Sequence, residues 1–195
     1  MNLSILVTDS GPLITLAAAR ALDALLLPKL PVIVPDMVRF EVIRDLEKPG
    51  APEVAQWIRD NQANGVLVAS TEIFEEFQVL REHNPATKTK NRGEQAAAEV
   101  LSKELSEKNK GAILLFEDSM VRKPNFLIRL PDEVVVVSTS EFLFGLEGQG
   151  LLQGASEILE RAVDLRGNEV LERHVGGTGN NPETWSSRMR PGHGQ

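Results

Sequence analysis

Two aspartates stand directly after apolar runs that are typical of buried strands. Asp9 follows the run 5–7, and Asp118 follows the run 112–116 at the start of a predicted helix. Ligands in open α/β sheets bind at the carboxyl ends of the strands, so both aspartates are candidates for chemistry. Glu117 is adjacent, but Asp118 lies beyond the apolar run, at the turn, and is the acid we favour there. The alternative for each aspartate is a helix N-cap, a position that Asp prefers.

Two glutamates lie on helix faces that are otherwise apolar. Glu94 shares its face with Ala97 and later apolar residues, and Glu41 has apolar neighbours at helical spacing. A carboxylate on such a face is costly unless it is paired or bound to a metal. For Glu94 the alternative is a first-turn acid that interacts with the helix dipole. For Glu41 it is a structural pair with Arg39 or Arg44.

Parallel strand topology would bring these four acids to one edge of the sheet. Carboxylates that are packed together repel one another. Mg²⁺ or Mn²⁺, which prefer oxygen ligands, would relieve that repulsion. The acids therefore predict a divalent metal site.

The elements that must position the acids alternate along the chain between strands and helices. The strands are predicted from short, continuous apolar runs at 3–8, 32–34, 66–69, 112–116 and 134–137. The helices between them are predicted at 12–26, 36–46, 52–63, 93–105, 119–126 and 140–152. Such alternation indicates an α/β fold with a parallel sheet flanked by helices.

The composition excludes several classes of chemistry. The chain has 195 residues, no cysteine, no tyrosine and three histidines, so disulfides, thiolate chemistry and multi-histidine metal sites are excluded or disfavoured. The net charge of −7 gives no general attraction to nucleic acid or anionic membrane. A nucleic-acid enzyme with this composition would need metal ions or a local basic patch.

Two regions depart from the strand–helix alternation. One domain is expected over residues 1–172, with an extra segment at about 70–91 that combines an acidic-apolar helix with a basic loop. Residues 173–195 are polar and are expected to form a disordered tail. The sequence has no signal-peptide pattern and no long apolar span, so a cytoplasmic protein without membrane contact is expected.

The motifs follow one another in the order found in PIN domains. The chain resembles PIN-like proteins related to type II toxin ribonucleases, in segments that span residues 3–152. The segments that carry the resemblance are 7–16, 22–26, 32–42, 92–98, 114–119 and 136–143.

The resemblance implies a fold, an activity and a site. The implied fold is a three-layer sandwich with a mostly parallel central sheet, and the implied activity is metal-dependent cleavage of RNA. Catalysis would fall to four acids, Asp9, Glu41, Glu94 and Asp118. Mg²⁺ or Mn²⁺ would be held by Asp9, Glu94 and Asp118. Auxiliary hydroxyls would come from Thr139, Ser138 and Ser10.

The same resemblance implies an RNA substrate, an antitoxin protein and a homodimer as partners. Basic residues that could contact the RNA backbone are Lys88, Lys90, Arg92 and Arg122. The alternative for residues 88–92 is an ordinary solvated loop.

Two other functions compete with a nuclease. A PIN-like module without catalytic activity would bind RNA or protein, although the sequence keeps all four acids. A phosphatase that uses Asp9 as its nucleophile would need a second Asp two residues on, where Gly11 stands. Glycine-rich loops that bind nucleotide phosphates are missing.

Overall fold

The computed structural model describes residues 2–106, 110–117, 130–166 and 185–186. Asp118, Arg122 and the predicted helix at 119–126 lie outside the described residues. So does the predicted boundary between residues 172 and 173.

A five-stranded, all-parallel sheet forms the centre of the molecule. Its strands are β1 (Asn2–Thr8), β2 (Val32–Pro35), β3 (Val66–Ala69), β4 (Lys110–Leu115) and β5 (Val134–Val137). The strand order is β3-β2-β1-β4-β5. Leu6 of β1 is in register with Val32 of β2 on one side and with Ile113 of β4 on the other. Strands β2 and β3 are therefore added on one side of β1, and strands β4 and β5 on the other. Ligands in such sheets bind at the switch point, which here lies between β1 and β4.

Helices lie between the strands along the chain or follow the last of them. They are α1 (Ser10–Ala18), α2 (Asp36–Ile43), α3 (Ala51–Asp60), α4 (Glu72–His83), α5 (Arg92–Glu104), α6 (Thr139–Gly148) and α7 (Ala155–Arg166). Short 3₁₀ helices span Leu22–Leu26 and Gln62–Asn64.

The sheet is covered on both faces, as continuous apolar strands require. Alternate residues of β1 point to opposite sides: Leu6 joins the core under α1, α3, α6 and α7, whereas Ile5 and Val7 join the core under α5. A third, smaller cluster joins Met37 of α2 to Phe77 of α4 and to α5. The expected α/β sandwich of three layers is therefore confirmed.

The predicted helix at 12–26 is broken in two. Arg20 adopts the left-handed region with φ +53°, and the N–H group of Ala21 donates to the carbonyl of Leu16. This pattern ends a helix in the manner of a Schellman motif, which usually uses glycine. The chain then turns into the 3₁₀ helix at Leu22–Leu26. A further helix, α7, has no counterpart among the predicted elements.

The helices of the described residues include none with the length and apolar character needed to cross a membrane.

Candidate acidic site

Acidic side chains from four segments converge at the carboxyl edge of the sheet. Asp9 follows β1, Glu117 follows β4 and Glu41 lies on α2, which follows β2. Glu94 lies in the first turn of α5, the helix that leads from this edge back to the start of β4. Parallel topology thus brings together positions that are far apart in sequence.

Gly93 marks the point where two of the carboxylates meet. A methyl group added to Gly93 would lie 2.7 Å from Oε2 of Glu41 and 3.3 Å from Oδ1 of Asp9. Both oxygens therefore rest against the same point of the α5 backbone. A residue with a side chain at this position would displace at least one of them, since 2.7 Å is shorter than any ordinary contact of a Cβ atom.

Asp9 is held almost without exposure to water, with 9% of its surface accessible. Burial is the main cause that raises the pKa of Asp9 from 3.8 to about 7, and the negative charges of Glu94 and Glu117 add to it. The N–H groups of Ser10 and Gly11 donate to the carboxylate and lower the pKa, but less strongly. Asp9 is therefore a carboxylate whose charge the fold disfavours.

Glu41 stands in a similar environment. Burial comes first among the causes that raise the pKa of Glu41 to about 7, followed by the charges of Asp9 and Glu94. The hydroxyl group of Thr89 and the charge of Arg44 lower the pKa in part. Neither Asp9 nor Glu41 forms an ion pair with a described lysine or arginine. Of the alternative, a structural pair with Arg39 or Arg44, only a weak electrostatic attraction from Arg44 is present.

Glu117 is the fourth acid of the cluster. It is 7% exposed, its Oε1 accepts a 2.6 Å hydrogen bond from the hydroxyl of Thr139, and its charge acts on Asp9. A methyl group added to Gly11 would lie 2.9 Å from its Oε2. The structure therefore places Glu117 at the site, while the favoured Asp118 lies outside the described residues.

A signal for Glu117 was present in the sequence. Ile113 and Leu115 belong to the core under α1 and α6, whereas Leu114 and Phe116 belong to the opposite core. Continuing this alternation by one step puts Glu117 on the side of α1 and α6. Period-two alternation thus predicts a buried position for Glu117.

The three auxiliary hydroxyls differ in their surroundings. Thr139 is fully buried and donates to Glu117. Ser138 is the N-cap of α6, where its hydroxyl accepts from the N–H of Glu141 and completes a capping box. Ser10 begins α1 and contributes its N–H group to Asp9. Of the three, Thr139 has its hydroxyl on an acid of the cluster.

The basic segment predicted to contact RNA runs beside the cluster. Thr89 donates to Glu41, and its neighbours Lys88 and Lys90 are exposed. Arg92 has turned away from the open surface: it lies 3.7 Å from Glu76 and 5.6 Å from the ring centre of Phe77. The two lysines are therefore exposed cations on the segment that contacts the cluster, and exposed Arg44 also acts on Glu41.

The donor set has the chemistry of a hard divalent cation site. Carboxylate oxygens are the ligands that Mg²⁺ and Mn²⁺ prefer, and the crowding of like charges would be relieved by such an ion. Within the described residues, however, no group of three or more acidic or histidine side chains is arranged closely enough to hold a metal ion. The acids fit the metal in type and location, and their oxygens would have to draw together around it.

A separate hollow of about 810 Å³ lies beside α3 and contains none of the predicted site residues. Two of its acids are engaged in structural contacts: Asp23 accepts from the indole of Trp57 at 2.9 Å, and Asp60 accepts from Gln56. Trp57 is buried, as its apolar helix face indicates. The acidic cluster, and not this hollow, is the candidate functional site.

Neither a protein-family model, nor a curated protein, nor a solved structure matches this chain.

Proposed function

We propose that the chain is a PIN-like, metal-dependent endoribonuclease that uses the acidic cluster at the carboxyl edge of the sheet. One observation carries the proposal: acids from β1, α2, α5 and the end of β4 meet at this edge, with Asp9 and Glu41 against the backbone of Gly93. A fold that buries Asp9 and Glu41 beside other acids, so that their pKa rises to about 7, loses stability by doing so. Such a cost is typical of a functional site.

The residues of the cluster would have different roles in metal binding and catalysis. Asp9 and Glu94, with Asp118 or Glu117, would hold one or two Mg²⁺ or Mn²⁺ ions. A bound ion of this kind lowers the pKa of water and neutralises charge on phosphate oxygens. Glu41 would orient the attacking water through a carboxylate that Thr89 holds by a hydrogen bond. Thr139 would fix the carboxyl group of Glu117.

The surroundings of the cluster support an anionic polymer as substrate. Lys88 and Lys90 are exposed on the segment that Thr89 ties to Glu41. Two cations beside a metal site would position the phosphate backbone, a contact that carries no base specificity. The toxin role, with an antitoxin and a homodimer as partners, extends the same proposal.

A second candidate is the catalytically inactive module that binds RNA or protein. It is favoured by the absence, within the described part of the chain, of three acids already arranged around a metal. Metal binding separates the two candidates, because an inactive module has no need to bind the ion.

The test combines cleavage with metal titration. Single-stranded RNA is incubated with the protein and Mg²⁺ or Mn²⁺, and Mn²⁺ binding is measured by calorimetry. We expect Asp9→Asn and Glu94→Gln to lose cleavage on the order of 100-fold or more, and to bind Mn²⁺ more weakly.

Two matched substitutions control for general effects of charge removal. Asp60→Asn on α3 and Glu104→Gln on α5 remove exposed acids and should leave cleavage unchanged. Mn²⁺ binding without cleavage, or full activity in both cluster variants, would contradict the nuclease. RNA binding without Mn²⁺ binding would support the inactive module.

A further inference from the structure

Trp185 is buried against α6, far along the chain from the residues that surround it. Only 2% of its surface is exposed. Its ring stacks on Phe142 with centroids 5.2 Å apart and planes inclined by 19°. Its indole N–H donates to the carbonyl of Glu141 at 3.0 Å. Both the apolar and the polar part of the side chain therefore have partners, as a buried tryptophan requires.

A glycine on α6 makes the space for this ring. A methyl group added to Gly145 would overlap the indole of Trp185, at its Cε2, Cζ2 and Nε1 atoms. Gly148 lies on the same helix, and a methyl group there would meet nothing within 4 Å. Glycine weakens a helix interior, so Gly145 is explained by the close approach of the ring and not by the helix.

We propose that Phe142, Gly145 and the carbonyl of Glu141 form a docking notch for Trp185 of the same chain. The notch takes one flat aromatic ring with a hydrogen-bond donor at its edge. Ser186 adds a contact beside it, since its hydroxyl accepts from the side chain of Gln149 at 3.4 Å. Docking anchors residues 185–186 to α6.

The tryptophan that occupies the notch comes from the same chain, because the chain between α7 and residue 185 is long enough to span the distance. α7 packs against α6 and ends at Arg166. Residues 167–184 can span up to roughly 60 Å when extended, which is more than a single domain of this size needs. Tethering also gives Trp185 an effective concentration on the order of millimolar, which a second copy in dilute solution does not reach.

The docked ring of Trp185 stabilises the N-terminal end of α6, which faces the acidic cluster. Glu141, whose carbonyl holds the indole, also caps Ser138 with its side chain at 2.8 Å from the backbone N–H. The next residue, Thr139, donates to Glu117. Trp185 thus stabilises the turn that presents Thr139, whether or not the cluster is a nuclease site.

The first test uses fluorescence. The chain has two tryptophans and no tyrosine, so Trp57→Phe leaves Trp185 as the sole strong fluorophore. We expect blue-shifted emission and protection from acrylamide in this background. Adding Gly145→Ala should shift the emission to the red and increase quenching, whereas adding Gly148→Ala should change neither.

The second test is a double-mutant cycle read by thermal unfolding, which remains informative if one variant is poorly stable. Gly145→Ala should lower Tm when Trp185 is present, because the ring is expelled. In a Trp185→Ala background it should raise Tm, because alanine favours the helix and the space is empty. The sign should therefore reverse with the residue at 185.

Three results would overturn the proposal. One is solvent-like quenching of Trp185 in the Trp57→Phe protein. Another is the same change of Tm for Gly145→Ala in both backgrounds. The last is loss of protection on dilution to nanomolar protein, which would assign the occupant to a second copy.

Discussion

Helix α5 carries two glutamates whose surroundings are opposite in kind. Glu94, in its first turn, adds negative charge to a cluster in which the pKa of Asp9 and of Glu41 is raised to about 7. Glu99, five residues later, accepts hydrogen bonds from Lys103 at 2.6 Å and from the N–H groups of Glu72 and Ile73. One end of the helix gathers like charges, and the other pairs opposite ones.

The contrast shows where the fold is stabilised and where it carries a cost. Partial burial works against ionisation of Glu99, but its pKa is lowered overall, because Lys103 and the first turn of α4 donate to it. At the acidic cluster burial is the largest cause and raises the pKa of Asp9 and Glu41. Neither residue forms an ion pair with a described lysine or arginine. The acids at the start of α5 act on one another and raise the pKa of Asp9 and Glu41, a pattern typical of functional sites.

The largest effect is expected from a substitution that disturbs only the crowded end. Gly93→Ala should lower RNA cleavage on the order of 100-fold, because the new methyl group would force Oε2 of Glu41 to move and would crowd Oδ1 of Asp9. The measurement is the initial rate of cleavage with Mn²⁺, together with the far-UV circular dichroism spectrum.

Gly148→Ala is the matched control, since the added methyl group there meets nothing within 4 Å. It should leave cleavage unchanged. An active Gly93→Ala protein would show that the contact of Asp9 and Glu41 with the α5 backbone has no part in the reaction.

The next effect concerns the dependence of stability on pH. The pKa of Asp9 in the folded protein lies above its unfolded value of 3.8, so the folded state binds the extra proton between about pH 4 and pH 7. Its contribution to stability is complete below pH 4 and is lost as the pH rises through 7. A rise to about 7 corresponds to about 4 kcal/mol at most.

Asp9→Asn should therefore be more stable than the parent protein at pH 8 and should differ from it less at pH 5. Urea unfolding in the presence of a chelator measures both free energies. An equal difference at the two pH values would show that Asp9 ionises normally in the folded protein.

The smallest effect is expected at the paired end of α5. Glu99→Gln should lower the free energy of unfolding by about 0.5–1 kcal/mol, since it removes one charge from the pair with exposed Lys103 and from the start of α4. The sign of the pH dependence is reversed here. Because the pKa of Glu99 is lowered, its contribution is present above the unfolded value of 4.5 and is lost on acidification.

The effect of salt on stability should differ between Glu99→Gln and Asp9→Asn. The destabilisation by Glu99→Gln should shrink in 1 M NaCl, where exposed charges are screened, while the effect of Asp9→Asn should persist because the group is buried. Glu104→Gln, on an exposed position of the same helix, serves as the control. A loss at Glu99 that salt does not reduce would point to packing instead of charge.

The sequence predicts the framework of this fold well. Its five apolar runs correspond within about two residues to the five strands, and the helix at 93–105 corresponds to α5 at Arg92–Glu104. Continuous apolar runs and a strong helical period are local properties, so they can be seen without knowledge of contacts. Asp9, Glu41 and Glu94 are brought together for the same reason, because parallel topology fixes which ends of the elements meet.

The features that escaped prediction depend on contacts between distant residues. The helix break after α1 falls at Arg20, a position where the sequence has no glycine to indicate the end of a helix. The burial of Glu117 depends on which core covers the end of β4. Trp185 lies within the polar stretch 173–195, and its burial depends on the space left by Gly145, forty residues earlier. Only the assembled structure brings these pairs together.

The register of β1 also determines when the site can exist. Leu6 pairs with Ile113, more than a hundred residues later, so the centre of the sheet cannot close until most of the chain has left the ribosome. The acids at positions 9, 41, 94 and 117 and the hydroxyl at 139 arrive at widely separated times during synthesis. In a growing chain this edge therefore stays incomplete until the strands that follow β3 are in place.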